Sequence, residues 1–219
     1  MLRPNCIALI ADLVRSRAFS AEKRSALQET LHVTLASLNQ RYGDAILSRI
    51  VVTTGDEFQA LLRTAAVLPD LVWDLEEQLP VRVRIGVGLG PLSTKLQEDA
   101  IGMDGPAWHA ARAAILAAKE RKRLGGVFLG FGVPNDDILN GLARLLHHFR
   151  QRLTLKQRAT LGRLRMAHRQ STLAKEWNLS KQAIHERVKA LKWEVYEEGE
   201  RAWRSALANF DYTTAWKHQ

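Results

Sequence analysis

The feature that most constrains this chain is the stretch Val51-Val52-Thr53-Thr54-Gly55-Asp56-Glu57-Phe58-Gln59-Ala60-Leu61-Leu62. Two β-prone runs meet there at a Gly-Asp pair, the local signature of a tight hairpin turn, which puts the Asp56 carboxylate at the hairpin tip. A second apolar run, Cys6-Ile7-Ala8-Leu9-Ile10-Ala11, ends at Asp12. If that strand pairs beside the hairpin, two acids distant in sequence converge at one sheet edge. Paired carboxylates on rigid strands suit Mg²⁺ with a nucleoside triphosphate, because this hard, octahedral ion takes one or two carboxylates plus phosphate oxygens.

The surrounding pattern predicts that pairing. After Asp12 a loop to Phe19, in which Arg15 and Arg17 are placed to reach phosphates, leads into a helix that Ser20 caps and that carries Leu27, Leu31, Leu35 and Leu38 on one face. A second helix begins near Pro69, buries Leu71, Val72, Leu75 and Leu79, and stops at Pro80. From Val81 to Leu89 the chain reads as a strand with Val81, Val83 and Ile85 on one face and Arg82 and Arg84 on the other. The order β-α-β-β-α-β is the ferredoxin-like arrangement, an antiparallel sheet with both helices on one face and the first strand beside the hairpin. A third helix is expected from about 106 to 123, a strand from 126 to 131, and a helix from 136 to about 150.

Weak linker signals at 151–154 divide the chain into an α+β domain, 1–150, and a small all-α domain, 151–219. Charge follows the same division: residues 1–150 hold 18 Lys and Arg against 16 Asp and Glu, whereas 151–219 hold 14 against 7. Within 151–192 the balance is 11 basic to 2 acidic, which points to a polyanion-binding face. A basic helix from Thr154, a short helix from Thr172 to Trp177, a turn at Asn178-Leu179 and a helix capped by Ser180 match helix-turn-helix spacing. Lys181, Gln182, His185 and Lys189 then face outward toward a DNA major groove, with Arg163 and Arg165 as candidate phosphate contacts.

Several function classes drop out. No apolar run approaches the roughly twenty residues needed to cross a bilayer, so a cytoplasmic protein with no membrane partner is expected. The single Cys6 lies inside an apolar run and reads as a buried core residue. Neither a Ser/His/Asp nor a Cys/His triad is suggested, and His147-His148 has no metal-ligand spacing.

Three of these motifs carry a resemblance. Ile10-Ala11-Asp12-Leu13-Val14 resembles the first metal motif of class III nucleotide cyclases, Thr53-Thr54-Gly55-Asp56-Glu57-Phe58 their Gly-Asp hairpin, and Val83-Arg84-Ile85-Gly86-Val87-Gly88-Leu89-Gly90-Pro91 the strand that follows. The whole chain resembles the bacterial SatD family, itself cyclase-like. Its last third resembles the helix-turn-helix of sigma-factor-like and response-regulator proteins over about forty residues. The resemblance implies Asp12 and Asp56 as Mg²⁺ ligands, with Arg15, Arg17 and Gly55 around a bound nucleotide. The segment Asp104-Gly105-Pro106-Ala107-Trp108-His109-Ala110-Ala111-Arg112 is similar to the cyclase helix that carries a transition-state Asn and, four residues on, an Arg. Arg112 fills the Arg position as the candidate catalytic residue. Trp108 fills the Asn position, and the base-reading positions fall near the apolar Val52 and Ile101, so little cyclase turnover is expected. The resulting expectation is a homodimeric, DNA-binding transcriptional regulator whose cyclase-like domain senses a nucleotide or related phosphate ligand. The alternatives are a divergent Mg²⁺-dependent nucleotidyl cyclase or nucleotidyltransferase, and a pair of interaction modules with no ligand.

Overall fold

The computed structural model describes residues 3–166 and 169–217, the side chain of Arg17 excepted. The chain forms β1 (Asn5–Leu13), α1 (Ala21–Arg41), β2 (Ile46–Thr54), β3 (Glu57–Leu62), α2 (Leu68–Gln78), β4 (Val83–Pro91), α3 (Pro106–Glu120), β5 (Val127–Leu129) and α4 (Asn135–Gln151). There follow α5 (Leu155–Arg165), α6 (Gln170–Glu176), α7 (Lys181–Leu191), α8 (Trp193–Ala208) and α9 (Thr213–Trp216). It divides into two compact units, one of residues 1–144 with 203–219 and one of 145–202.

In the first unit the sheet order is β2-β3-β1-β4-β5. β1 runs antiparallel to both β3 and β4, and β2 antiparallel to β3, as the β-α-β-β-α-β order requires. β5 runs parallel to β4, so the expected antiparallel sheet is mixed. The reason is the intervening helix: a strand reached from its neighbour through a crossover helix returns in the same direction. Ser20 caps α1 by accepting from the Lys23 backbone N–H, and Gly55 takes a positive φ of 60° in the two-residue turn between β2 and β3.

β1 is apolar from Cys6 to Ala11 because it is covered on both faces. Cys6, Ala8 and Ile10 pack with Trp108, Ala111 and Ile115 of α3, while Ile7, Leu9 and Ala11, on the opposite face, are also fully buried. α3 sits unusually near the sheet. Gly86, Gly88 and Gly90 alternate along β4 on its α3 face, and a methyl group on any of them would run into the α3 backbone at Ala107, Ala111 or Ile115. The facing residues Ala107 and Ala111 are small and buried, so helix and strand meet almost backbone to backbone.

The end of the chain returns to this unit, contrary to an expected 151–219 domain. The Ala65 N–H donates to the Phe210 carbonyl, the Tyr212 N–H to the Arg63 carbonyl, and Trp216 Nε1 to the Asn5 carbonyl at 2.9 Å. Phe210 meets Phe131 edge-on at 4.9 Å, Trp203 meets Phe128 at 5.8 Å, and Arg204 forks onto Asp70 at 2.6 and 2.7 Å. Three large aromatic surfaces find their cover here, which outweighs proximity in sequence.

The second unit is helical. Thr154 and Gln157 form a capping box at the start of α5, Ser180 accepts from the Ala183 N–H at 3.1 Å, and Asn178 takes a left-handed φ of 50° between α6 and α7. Leu161, Leu164, Leu173, Ile184, Val188 and Leu191 are buried, as are the side chains of Tyr196 and Arg150, which lie 3.3 Å apart at their polar tips. Among the described residues no helix is long and apolar enough to cross a membrane.

Glycine placement gives a paired expectation. Gly88→Ala forces α3 off β4 and destabilises by at least about 1–3 kcal/mol, the usual cost of overpacking. Gly141→Ala, in α4 with open space around the added methyl, stabilises by about 0.5–1 kcal/mol. Thermal unfolding of the two variants beside the wild type checks both signs.

Candidate functional site

The register of β1 builds the site. Asp12, one residue before the strand ends, pairs with Glu57 of β3 on one side and Arg84 of β4 on the other. Period-two alternation after Cys6, Ala8 and Ile10 turns its side chain toward α3. There Lys119, near the end of α3, places Nζ 3.4 Å from Asp12 Oδ2, and Arg84 approaches the same oxygen at 3.4 Å. Arg112, two helical turns before Lys119, forks onto Glu57 at 2.8 and 2.9 Å, and Gln59 donates to the same carboxylate at 3.1 Å. A ladder of alternating charge results: Arg84, Asp12, Lys119, Glu57, Arg112.

Asp56 enters from the turn. The Leu13 N–H donates to its carbonyl at 3.2 Å, tying the hairpin tip to the end of β1, and the Ser16 hydroxyl donates to Asp56 Oδ2. The two Asp residues that the sequence pairs are thus carried to one end of the sheet. A cleft of about 410 Å³ opens beside Asp56, lined by Ser16, Arg24, Gln28, Thr54 and Gly55 among others but not by Asp12. That volume falls within the range of small-molecule sites.

The two strand carboxylates experience opposite environments. Burial raises the Asp12 pKa above its ordinary 3.8, more than the nearby Lys119 and Arg84 lower it, and the charge of Asp56 adds a smaller upward push. The hydrogen bonds from Arg112 hold Glu57 below its ordinary 4.5. Asp12 Oδ2 faces two cations, but Oδ1 is buried and accepts no hydrogen bond. A buried carboxylate oxygen without a donor is where a cation relieves an existing cost. Among the described residues no group of three or more His, Cys, Asp and Glu side chains is arranged to hold a metal ion.

The other expected residues fall as follows. Gly55 is exposed at the hairpin tip and Arg15 is exposed in a left-handed conformation (φ 62°) at the start of the loop, whereas the side chain of Arg17 lies outside the described residues. Arg112 reaches the site but is held by Glu57. Trp108 is 7% exposed in the core against Ala8, Ile10 and Leu61, with Nε1 unpartnered, and contributes nothing polar to the site. His109 pairs with Asp104 at 2.8 Å on the surface. Ser16, Arg84, Lys119 and the clamping role of Glu57 escape a reading of the sequence. Lys119 alone carried a signal, its seven-residue spacing from Arg112 on an expected helix.

In the second unit Lys181, Gln182, His185 and Lys189 are exposed on α7, with Gln182 donating to Glu186 at 2.8 Å. The two arginines expected to contact DNA phosphates are engaged otherwise. Arg165 is 5% exposed and grips Glu200 through Nε and a terminal nitrogen at 2.6–2.9 Å, and Arg163 pairs with Glu176. A guanidinium buried against a carboxylate within its own unit is not available to a phosphate.

A family model described as the SatD family matches residues 6–205. No curated protein sequence matches the chain. Among solved structures, the chain is similar to the guanylate cyclase domain of RhGC from Catenaria anguillulae in complex with GTP (16% identity over 51% of this chain and 72% of that one, TM-score 0.38). It is also similar to a bacterial light-regulated adenylyl cyclase (14%, 57% and 74%, TM-score 0.40) and to an adenylate/guanylate cyclase/hydrolase from Silicibacter pomeroyi (24%, 51% and 69%, TM-score 0.36). The SatD family model covers residues of both units, and with the buried pairing of Arg165 this corrects the expectation of a DNA-binding transcriptional regulator.

The opposed carboxylates fix the sign of a stability experiment. Stability contributed by Asp12, whose folded pKa is raised, is fully present below its ordinary value and lost as pH rises through the folded one. That contributed by Glu57 is present above its ordinary value and lost as pH falls through its lowered one. At pH 7 Asp12→Asn therefore raises the unfolding midpoint, and Glu57→Gln lowers stability by about 0.2–1 kcal/mol, as for a partly exposed pair. Denaturation of both variants from pH 3 to 8 measures the two trends.

Proposed function

The chain belongs to the SatD family, and from the geometry of its strand end we propose that its first unit binds a nucleoside triphosphate with one or more divalent cations through Asp12 and Asp56. The observation that carries this reading is Asp12 Oδ1, a buried acceptor without a donor, with the Asp56 carboxylate close enough for its charge to act on Asp12. Mg²⁺, when bound, supplies charge neutralisation of the phosphates and polarisation of their oxygens. Asp12 and Asp56 hold it. The Ser16 hydroxyl orients Asp56, while Arg15 and Arg24, at the loop and on the first turn of α1, face the anionic part of the ligand. Gly55 keeps the hairpin tip free of a side chain where the ligand passes. The apolar Leu13 and Leu27, on the cleft wall, suit the face of a base or sugar.

A second reading adds turnover, as a divergent nucleotidyl cyclase or nucleotidyltransferase. It is favoured by Arg112, whose half-exposed guanidinium is held on Glu57, the cross-strand partner of Asp12, and has only to exchange that carboxylate for a phosphoryl oxygen. We also propose a homodimer, on the resemblance to head-to-tail cyclase pairs. Light scattering that shows a strict monomer at micromolar protein counts against it.

The binding experiment uses the full chain with fluorescent ATP and GTP analogues, with and without Mg²⁺ or Mn²⁺. Metal-dependent binding is expected, weakened about 10- to 100-fold in Asp12→Asn or Asp56→Asn, the equivalent of one charge-assisted contact. Binding indifferent to both metal and variants overturns the reading. Pyrophosphate or cyclic nucleotide released by the wild type, and lost in Arg112→Ala, establishes turnover.

A further inference from the structure

The proposed site contains more positive charge than a two-carboxylate cation site needs. Asp12 Oδ2 has Lys119 Nζ and an Arg84 nitrogen each at 3.4 Å, while Oδ1 has none. Two divalent cations on one carboxylate either take one oxygen each or share one, and both arrangements bring a second dication close to the cations already at Asp12. The cation-free oxygen is single, and the other is flanked by two positive charges. A second dication at Oδ2 would meet both at contact distance, in a partly buried setting where like charges repel strongly.

Both positive groups stand on elements whose backbones are held in place. Lys119 stands on α3, whose distance from β4 is set by backbone contact at Gly86, Gly88 and Gly90. Arg84 stands on β4 itself, paired in register with Asp12. An ammonium is a compact charge with three donor directions, so one can face Asp12 while others face a phosphate oxygen.

We infer that Lys119, supported by Arg84, takes the place of a second metal ion, so that the site binds its triphosphate with a single divalent cation seated at Asp12 Oδ1 and Asp56. The inference rests on the nucleotide-binding reading above, and names the cation stoichiometry and a residue that no motif marks.

The test counts Mn²⁺ bound to the full-length protein by electron paramagnetic resonance, with saturating α,β-methylene ATP and, separately, α,β-methylene GTP. One Mn²⁺ per bound analogue is expected in the wild type and in Lys119→Arg. Lys119→Met, at a helix position whose side chain is 39% exposed and so tolerant of change, is expected to need about tenfold more Mn²⁺ for the same analogue affinity, or to take up a second ion. A wild type that binds two Mn²⁺, or a Lys119→Met protein with unchanged stoichiometry and affinity, overturns the inference and leaves nucleotide binding standing. If neither analogue binds at any Mn²⁺ concentration, the nucleotide-binding reading fails and the inference fails with it.

Discussion

The contact between β4 and α3 is the constraint on which the rest of the first unit depends. Three alternating glycines remove every side chain from one face of the strand, and the helix responds with alanines. Interaxial spacing is then fixed by backbone atoms, which have no rotamers to adjust. Because Arg112 and Lys119 project from that helix over β3 and β1, their reach to Glu57 and Asp12 depends on the same spacing. With ordinary side chains on β4, the helix would stand off and both cations would meet water before they met the carboxylates.

That spacing creates two different carboxylates from neighbouring register positions. Glu57 accepts a forked guanidinium and an amide, and its charge is well matched. Asp12 is more deeply buried and has two cations on one oxygen but nothing on the other. The first arrangement is what a structural ion pair looks like. The second leaves one buried oxygen without a donor at the end of a paired strand, a local cost of the kind that clusters at binding sites.

How far the sequence disclosed this is best judged residue by residue. The hairpin tip, the strand ending in Asp12, the Ser20 cap and the order of the first four strands were legible because turn chemistry and hydrophobic period act locally. The parallel β5, the Asp12–Arg84 register and the Lys119 approach were not, since each joins segments whose separation is decided by packing. The basic count of 151–192 was correct as a number and misleading as a sign of purpose: Arg165 answers Glu200, an acid outside the window in which the charge was summed. Local charge excess says little until the partners brought by the fold are known.

The return of residues 203–217 has a temporal consequence. Strands and helices of the first unit leave the ribosome early, yet Trp203, Phe210 and Trp216, which fill its remaining apolar gaps, are synthesised after the whole of 145–202. The helical unit, contiguous in sequence, has all its parts available first and can be complete while the earlier-made sheet still waits for its last segment. Order of synthesis and order of completion are thus reversed, and for that interval the nascent sheet presents uncovered aromatic-binding surface to the cell's folding machinery.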